Sequence, residues 1–165
     1  MPGTFVSVGN AHQAFTRLIS VVSAARDSLP QPIMVQHGHT PCDSHALNPV
    51  AFLHPAEYEK QVLDADVVIT HAGAGSILCA IKARKVPIVM ARLKRYGEVV
   101  DDHQLDFSRA LAAEGRVVLI HDRAELEQAA KEALRRQSAM PVLSSPPRLV
   151  GLVGGVLEHC ARWVK

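Results

Sequence analysis

The sequence has little that would commit it to an unusual environment. Cysteine occurs 3 times in 165 residues, at Cys42, Cys79 and Cys160, an odd and sparse set without a CxxC pair. This excludes a disulfide framework and reads as reduced thiols of a cytoplasmic protein. Aromatic residues make up only 4%. No charge of one sign dominates: 18 Lys and Arg against 16 Asp and Glu leave a formal net charge of +2. That excludes a strongly basic nucleic-acid binder and an acidic solvating tail. No apolar run approaches the roughly 20 residues that span a bilayer. The opening MPGTFVSVGN lacks a basic segment followed by a long apolar one, so no signal peptide is expected. Low-complexity tracts are missing too, which argues against disorder. What is present is 48% hydrophobic residues in a length that suits one domain around one core. The chain starts almost directly with an apolar strand, as a domain lacking its first half would.

Short apolar runs alternate with helical patterns. Strands are expected at Thr4–Val8, Ile33–Gln36, Val50–Leu53, Val67–Thr70, Pro87–Met90 and Val117–Ile120. They are rich in Val and Ile on successive residues, as strands covered on both faces should be. Phe15, Leu18, Ile19 and Val22 recur at helical spacing, and so do Leu126, Ala129, Ala130, Ala133 and Leu134. Asp122 and Glu125 form a capping-box pattern before the second set. Leu105, Ser108, Leu111 and Ala112 suggest a further helix. The alternation predicts an α/β fold, a Rossmann-like parallel sheet of about six strands with helices on both faces. Gln36–Pro49 (QHGHTPCDSHALNP) reads as a loop. Residues 1–143 are expected to form the α/β domain, and 144–165 an amphipathic C-terminal helix. That helix packs on its own sheet or docks a partner.

The stretch Asp66–Leu78, DVVITHAGAGSIL, is the most informative. A buried strand runs into glycine-rich sequence, and Ser76 is expected to open a helix. In parallel sheets, ligands bind outside the carboxyl ends of the strands. Gly73 and Gly75 allow a tight turn and a close approach, and the helix N-terminus beyond them presents free N–H groups to an anion. His71 and the Ser76 hydroxyl add side-chain donors. The third small residue of a dinucleotide fingerprint is missing, because that position is Leu78, and there is no GKS or GKT P-loop. The alternative is a strand–helix turn that merely requires two glycines.

A second polar constellation follows the next strand, in ARLKRYGEVVDDHQ from Ala91 to Gln104. Arg92, Lys94 and Arg95 are expected near the phosphate site. Glu98, Asp101, Asp102, His103 and Gln104 offer groups that suit vicinal hydroxyls of a sugar. The first strand ends in a third small-residue turn, Val8-Gly9-Asn10-Ala11, at the same sheet edge. A solvated charged loop is the competing reading of the second constellation.

In order and spacing, FVSVGN, QHGHT, THAGAGSI and ARLKRYGEVVDDHQ resemble the C-terminal, donor-binding half of GT-B glycosyltransferases of the family 28 group. The stand-alone half-enzymes are the nearest look-alikes: PssE-type subunits of exopolysaccharide synthesis and the soluble subunit of the dolichol-linked UDP-GlcNAc transferase. The resemblance implies transfer of a sugar from a UDP-sugar to a lipid-linked saccharide acceptor, without a metal cofactor. It implies a membrane-anchored, PssD-like subunit that supplies the acceptor half, and a cytoplasmic chain peripheral to the membrane through that partner. Carried over by residue, it implies a donor site of Gly73, Ala74, Gly75 and Ser76 around the diphosphate with His71 beside them. It implies Gln104 and His103 on the transferred sugar and Glu98 in the same region; beside it, the residues themselves suggest Gly9 and Asn10 at the edge and Arg92 or Lys94 as a cation. Glucuronate is the favoured sugar, because Arg92, Lys94 and Arg95 could pair its carboxylate and because the exopolysaccharide look-alikes include glucuronosyltransferases.

One position departs from the family pattern. Many relatives carry a glutamate where this chain has Cys79, and there it takes both ribose hydroxyls. A thiol cannot do so. Ribose binding must differ, weaken, or come from another residue. No catalytic base is assigned, since relatives draw it from the acceptor half. His37, His39, Cys42 and His45 fall in one loop, but without the paired spacing of a zinc site, so no metal is expected. Two other classes stay open. One is a non-catalytic UDP-sugar-binding module that activates a partner transferase; the other is a different nucleotide-dependent α/β enzyme.

Overall fold

Consecutive Val and Ile residues fill the strands because both faces of the sheet are covered. The computed structural model describes residues 2–140. The helix expected over 144–165, and the domain boundary at 143, lie outside the described residues. Six strands form one sheet: β1 (Thr4–Ser7), β2 (Ile33–Gln36), β3 (Pro49–Val50), β4 (Val67–His71), β5 (Ile88–Met90) and β6 (Val118–Leu119). Their order is β3-β2-β1-β4-β5-β6, and every pairing is parallel. This is the Rossmann-like sheet that the alternation predicts.

Side chains of adjacent residues point to opposite faces of a strand, and the two faces carry different helices. Val6 and Ile69 meet α1 (Thr16–Ala24) and α5 (Arg123–Ser138) through Leu18, Val22, Leu126 and Ala130. Phe5 and Val68 on the other face meet α2 (Pro55–Asp64) and α3 (Ala74–Lys82) through Val62 and Ala80. Farther along that face, Val89 packs with Ile77 of α3 and Leu111 of α4 (His103–Ala113).

Three local details differ from the sequence pattern. The third strand is Pro49–Val50 rather than Val50–Leu53. It is an edge strand paired only with β2, and the chain leaves it early because His54 and Pro55 already begin α2. There the His54 ring accepts from the Ala56 N–H, and Glu57 accepts from the His54 N–H. With Val62 its one fully buried residue, α2 has too little apolar stripe to be read from periodicity. The helix after β4 opens at Ala74, two residues before Ser76, because Gly73 in extended backbone (φ −78°, ψ 128°) is its N-cap. At α5, Asp122 caps the Ala124 N–H at 2.8 Å as expected. Glu125, however, reaches past the cap residue to the His121 N–H at 2.6 Å.

Candidate functional site

In this strand order the chain reverses direction across the sheet between β1 and β4. The segment after β1 leads to α1 on one face, and that after β4 leads to α3 on the other. Such a switch point leaves a crevice outside the carboxyl ends of the strands. A cavity of about 440 Å³ occupies it. Ser7, Gly9, Asn10 and Gln36 line the side of β1 and β2, and His71, Gly73, Gly75, Ser76 and Cys79 the side of β4 and α3. Pro55, Tyr58 and Glu59 of α2, with Leu53 just before it, close the wall. A larger cleft of about 580 Å³, around Ala24, Asp27, Asp122 and Glu127, contains none of the candidate residues.

His71 is the wedge of the site. A Cβ at Gly9 would stand 2.5 Å from its Cε1 atom, and one at Gly73 would collide with its Nε2 atom. Gly9 also has φ +80°, a left-handed conformation that suits glycine. Both glycines therefore admit the protein's own imidazole. Burial, then the nearby charge of Arg92, lowers the His71 pKa to about 4, against a backbone hydrogen bond to Ser7 that raises it. At neutral pH the ring is uncharged and can offer one N–H. The Thr70 hydroxyl lies 3.4 Å from its Nδ1 atom.

Gly75 differs from the other two glycines. A Cβ there would meet nothing within 4 Å, so its surface opens to the cavity. Since Gly73 is the N-cap, Ala74, Gly75 and Ser76 form the first turn of α3, whose early N–H groups have no partner within the helix. A helix start with its positive dipole end facing a cavity suits an anion such as a phosphate. Opposite, Ser7 donates to Gln36 at 2.7 Å, and Gln36 donates to Asn10 at 3.4 Å and to the Ala51 carbonyl at 3.2 Å. Gln36 is 3% exposed. The only cue to it in the sequence is a polar side chain ending an otherwise apolar strand. Tyr58 and Glu59 carried no signal, since α2 itself was not read, and Leu53, expected at a strand end, lies between β3 and α2.

The second constellation is not brought to this cavity. Arg92 is 1% exposed, and its guanidinium donates to the backbone carbonyls of Val8, Gln13 and Glu98 at 2.7–3.0 Å. It also lies over the Phe15 ring, 4.7 Å from the centroid. The expected phosphate-binding cation is thus a buried tie between two loops, those after β1 and after β5, and its charge reaches His71. Glu98 is spent in the same way. Its carboxylate holds Arg17 through two hydrogen bonds, at 2.8 and 3.1 Å, and accepts from the Leu93 N–H at 2.9 Å. The carboxylate expected on a sugar hydroxyl is thus engaged within the protein. Lys94 and Arg95 are exposed and do not line the cavity. His103 begins α4, and Gln104 follows it. The Gln104 Oε1 atom is buried with no hydrogen-bond partner among the described residues, and Gln104 does not line the cavity either.

The histidines of the long loop separate. His37 bonds to the Thr40 carbonyl through Nδ1 at 2.8 Å, while His39 stacks on His12 with ring centroids 4.6 Å apart. Among the described residues, no three His, Cys, Asp or Glu side chains are grouped to hold a metal ion. Nor is any helix among them long and apolar enough to cross a membrane.

Residues 5–141 match the model of the glycosyltransferase family 28 C-terminal domain. Among solved structures, the chain is similar to the glycosyltransferase SnogD from Streptomyces nogalater, with a TM-score of 0.52 at 16% sequence identity. That likeness is one of fold; it covers 96% of this chain and 43% of SnogD, so the chain spans less than half of that protein. No curated protein matches the chain.

Proposed function

Because the chain belongs to glycosyltransferase family 28, whose C-terminal domain occupies residues 5–141, we propose that it is the donor-binding part of a glycosyltransferase that uses a UDP-sugar. The observation that carries this reading is the cavity at the β1–β4 switch point, with the open first turn of α3 on one wall. The diphosphate rests against Gly75 and Ser76, and neutral His71 donates to the same oxygens. As the sugar departs, negative charge grows on the diphosphate. N–H groups already aimed at it stabilise that charge without reorganising.

No Lys or Arg among the described residues lines the cavity. His71 itself is a poor base for the acceptor, since a histidine whose pKa is about 4 takes a proton poorly at neutral pH. Both gaps support the half-enzyme reading, in which a membrane-anchored subunit brings the lipid-linked saccharide acceptor and the base. They equally favour a second reading, a UDP-sugar-binding module that activates a partner. Of the two grounds for glucuronate, the cations Arg92, Lys94 and Arg95 do not line the cavity, which leaves the glucuronosyltransferases among the exopolysaccharide look-alikes, so the sugar is a matter for titration.

Calorimetric titration with UDP, UDP-GlcA, UDP-GlcNAc, UDP-Glc, UDP-Gal and NAD tests the donor. Binding of UDP and at least one UDP-sugar is expected, and binding of NAD alone would sink the reading. Sugar transfer that begins only when membranes carrying the partner subunit are added separates the half-enzyme from full activity of this chain alone.

A further inference from the structure

The cavity contains one carboxylate that phosphate binding does not use. Glu59 on α2 lines it together with Tyr58 and, across on α3, Cys79. Its charge reaches that thiol: burial first, then Glu59, hold Cys79 above its ordinary pKa, with Lys82 opposing. Glu59 and Cys79 thus line one cavity from the two neighbouring helices α2 and α3. Cys79 is one turn beyond Ser76, a rise of ~4.5 Å along the helix. No ion pair or hydrogen bond within the described residues engages the Glu59 carboxylate. Beside it, the Tyr58 hydroxyl is buried and unpartnered.

A free carboxylate in an anion-binding cavity repels the anion unless the ligand brings hydrogen-bond donors to it. Two carboxylate oxygens match two adjacent hydroxyls, each of which can donate one hydrogen bond. A pentose esterified to a phosphate at the first turn of α3 carries such a pair, set back from the phosphate by about the offset between Ser76 and Cys79.

Resting on the donor-binding reading, we propose that Glu59 is the specificity residue for the ribose, accepting hydrogen bonds from its 2′- and 3′-hydroxyls. The cavity then selects a ribonucleoside diphosphate over its deoxy counterparts. The assignment gives α2 a functional role and puts the diol-binding carboxylate on the opposite wall from Cys79.

The test is titration of the wild-type chain, Glu59→Ala and Glu59→Gln with UDP, 2′-deoxy-UDP, 2′,3′-dideoxy-UDP and a UDP-sugar. Far-ultraviolet circular dichroism and thermal unfolding check that the exposed substitutions leave the fold intact. Wild type should bind UDP at least ~10-fold more tightly than the dideoxy compound, the range for hydrogen bonds to a charged group. Glu59→Ala should lose ~10- to 100-fold for UDP and change little for 2′,3′-dideoxy-UDP, so that discrimination collapses. Glu59→Gln should fall between. Equal losses for UDP and the dideoxy compound, or no loss for either, would overturn the assignment. So would a loss confined to the UDP-sugar, which would put the carboxylate on the transferred sugar. Wild type that binds UDP without discriminating overturns the role of Glu59 alone, and wild type that binds none of these compounds overturns the donor-binding reading with it.

Discussion

At the scale of single residues, the three glycines of the site do different jobs, and substitutions separate them. Gly73→Ala keeps an allowed backbone but drives a Cβ into the His71 ring. It should destabilise the fold by about 1–3 kcal/mol, the usual cost of overpacking. In a His71→Ala background most of that cost should vanish, because the clashing ring is gone. Urea unfolding of the two single variants and the double variant checks the coupling; simple additivity would contradict the wedge geometry. Gly75→Ala should act in the opposite sense. Its Cβ meets nothing, and it exchanges glycine for the best helix former in the first turn of α3. We expect stability to hold or rise by up to about 1 kcal/mol while UDP affinity falls, since the methyl occupies the surface proposed for the diphosphate. Thermal unfolding and calorimetry on the same sample read both effects.

At the scale of elements, the loop after β5 is fastened to the loop after β1 and to α1. Arg92 fastens it to the turn after β1 through Val8 and to the approach to α1 through Gln13. Arg17 of α1 grips Glu98 from the other side and donates to the Ala91 carbonyl at 2.6 Å. Arg92→Met should therefore destabilise the domain by about 3 kcal/mol or more, because it strands buried carbonyl groups. Nucleotide affinity per folded molecule should change far less than for Gly75→Ala. A denaturation curve beside a UDP titration decides it. A variant of full stability that no longer binds UDP would return Arg92 to the phosphate site. The strands and the helices α1, α4 and α5 were legible because their apolar spacing is set by burial. By contrast, α2 was not legible. It shows the core little more than Val62, and its start rests on a histidine cap.

At the scale of the whole molecule, the buried His71 makes stability depend on pH. Its folded pKa of about 4 lies below the ordinary 6.5, so the unfolded chain binds the proton first as pH falls. Its contribution is complete above about pH 6.5, declines as pH drops through the interval, and is lost below about pH 4. The loss is at most about 3 kcal/mol, less for a ring partly open to the cavity. Urea midpoints of wild type should therefore drop between pH 7 and pH 5 by more than those of His71→Asn. Parallel curves for the two would refute the burial of a neutral ring.

The sequence by itself determined the class of fold and the edge of the sheet at which to look. Burial on both faces demands runs of Val and Ile, and a strand that ends in His-Ala-Gly-Ala-Gly-Ser can only turn tightly into a helix. It also named His71, Gly73, Gly75, Ser76, Gly9 and Asn10, which do line one cavity. Only the tertiary structure decided how the polar residues are divided. A run of charges looks the same in sequence whether it faces a ligand, water or its own backbone. Packing turned Arg92 and Glu98 inward, because the turns they join needed partners for buried carbonyl and N–H groups. It placed Glu59 and Cys79 on one cavity because α2 and α3 lie side by side on one face of the sheet. Contacts between residues far apart in the chain made that choice, and no spacing along the chain encodes them.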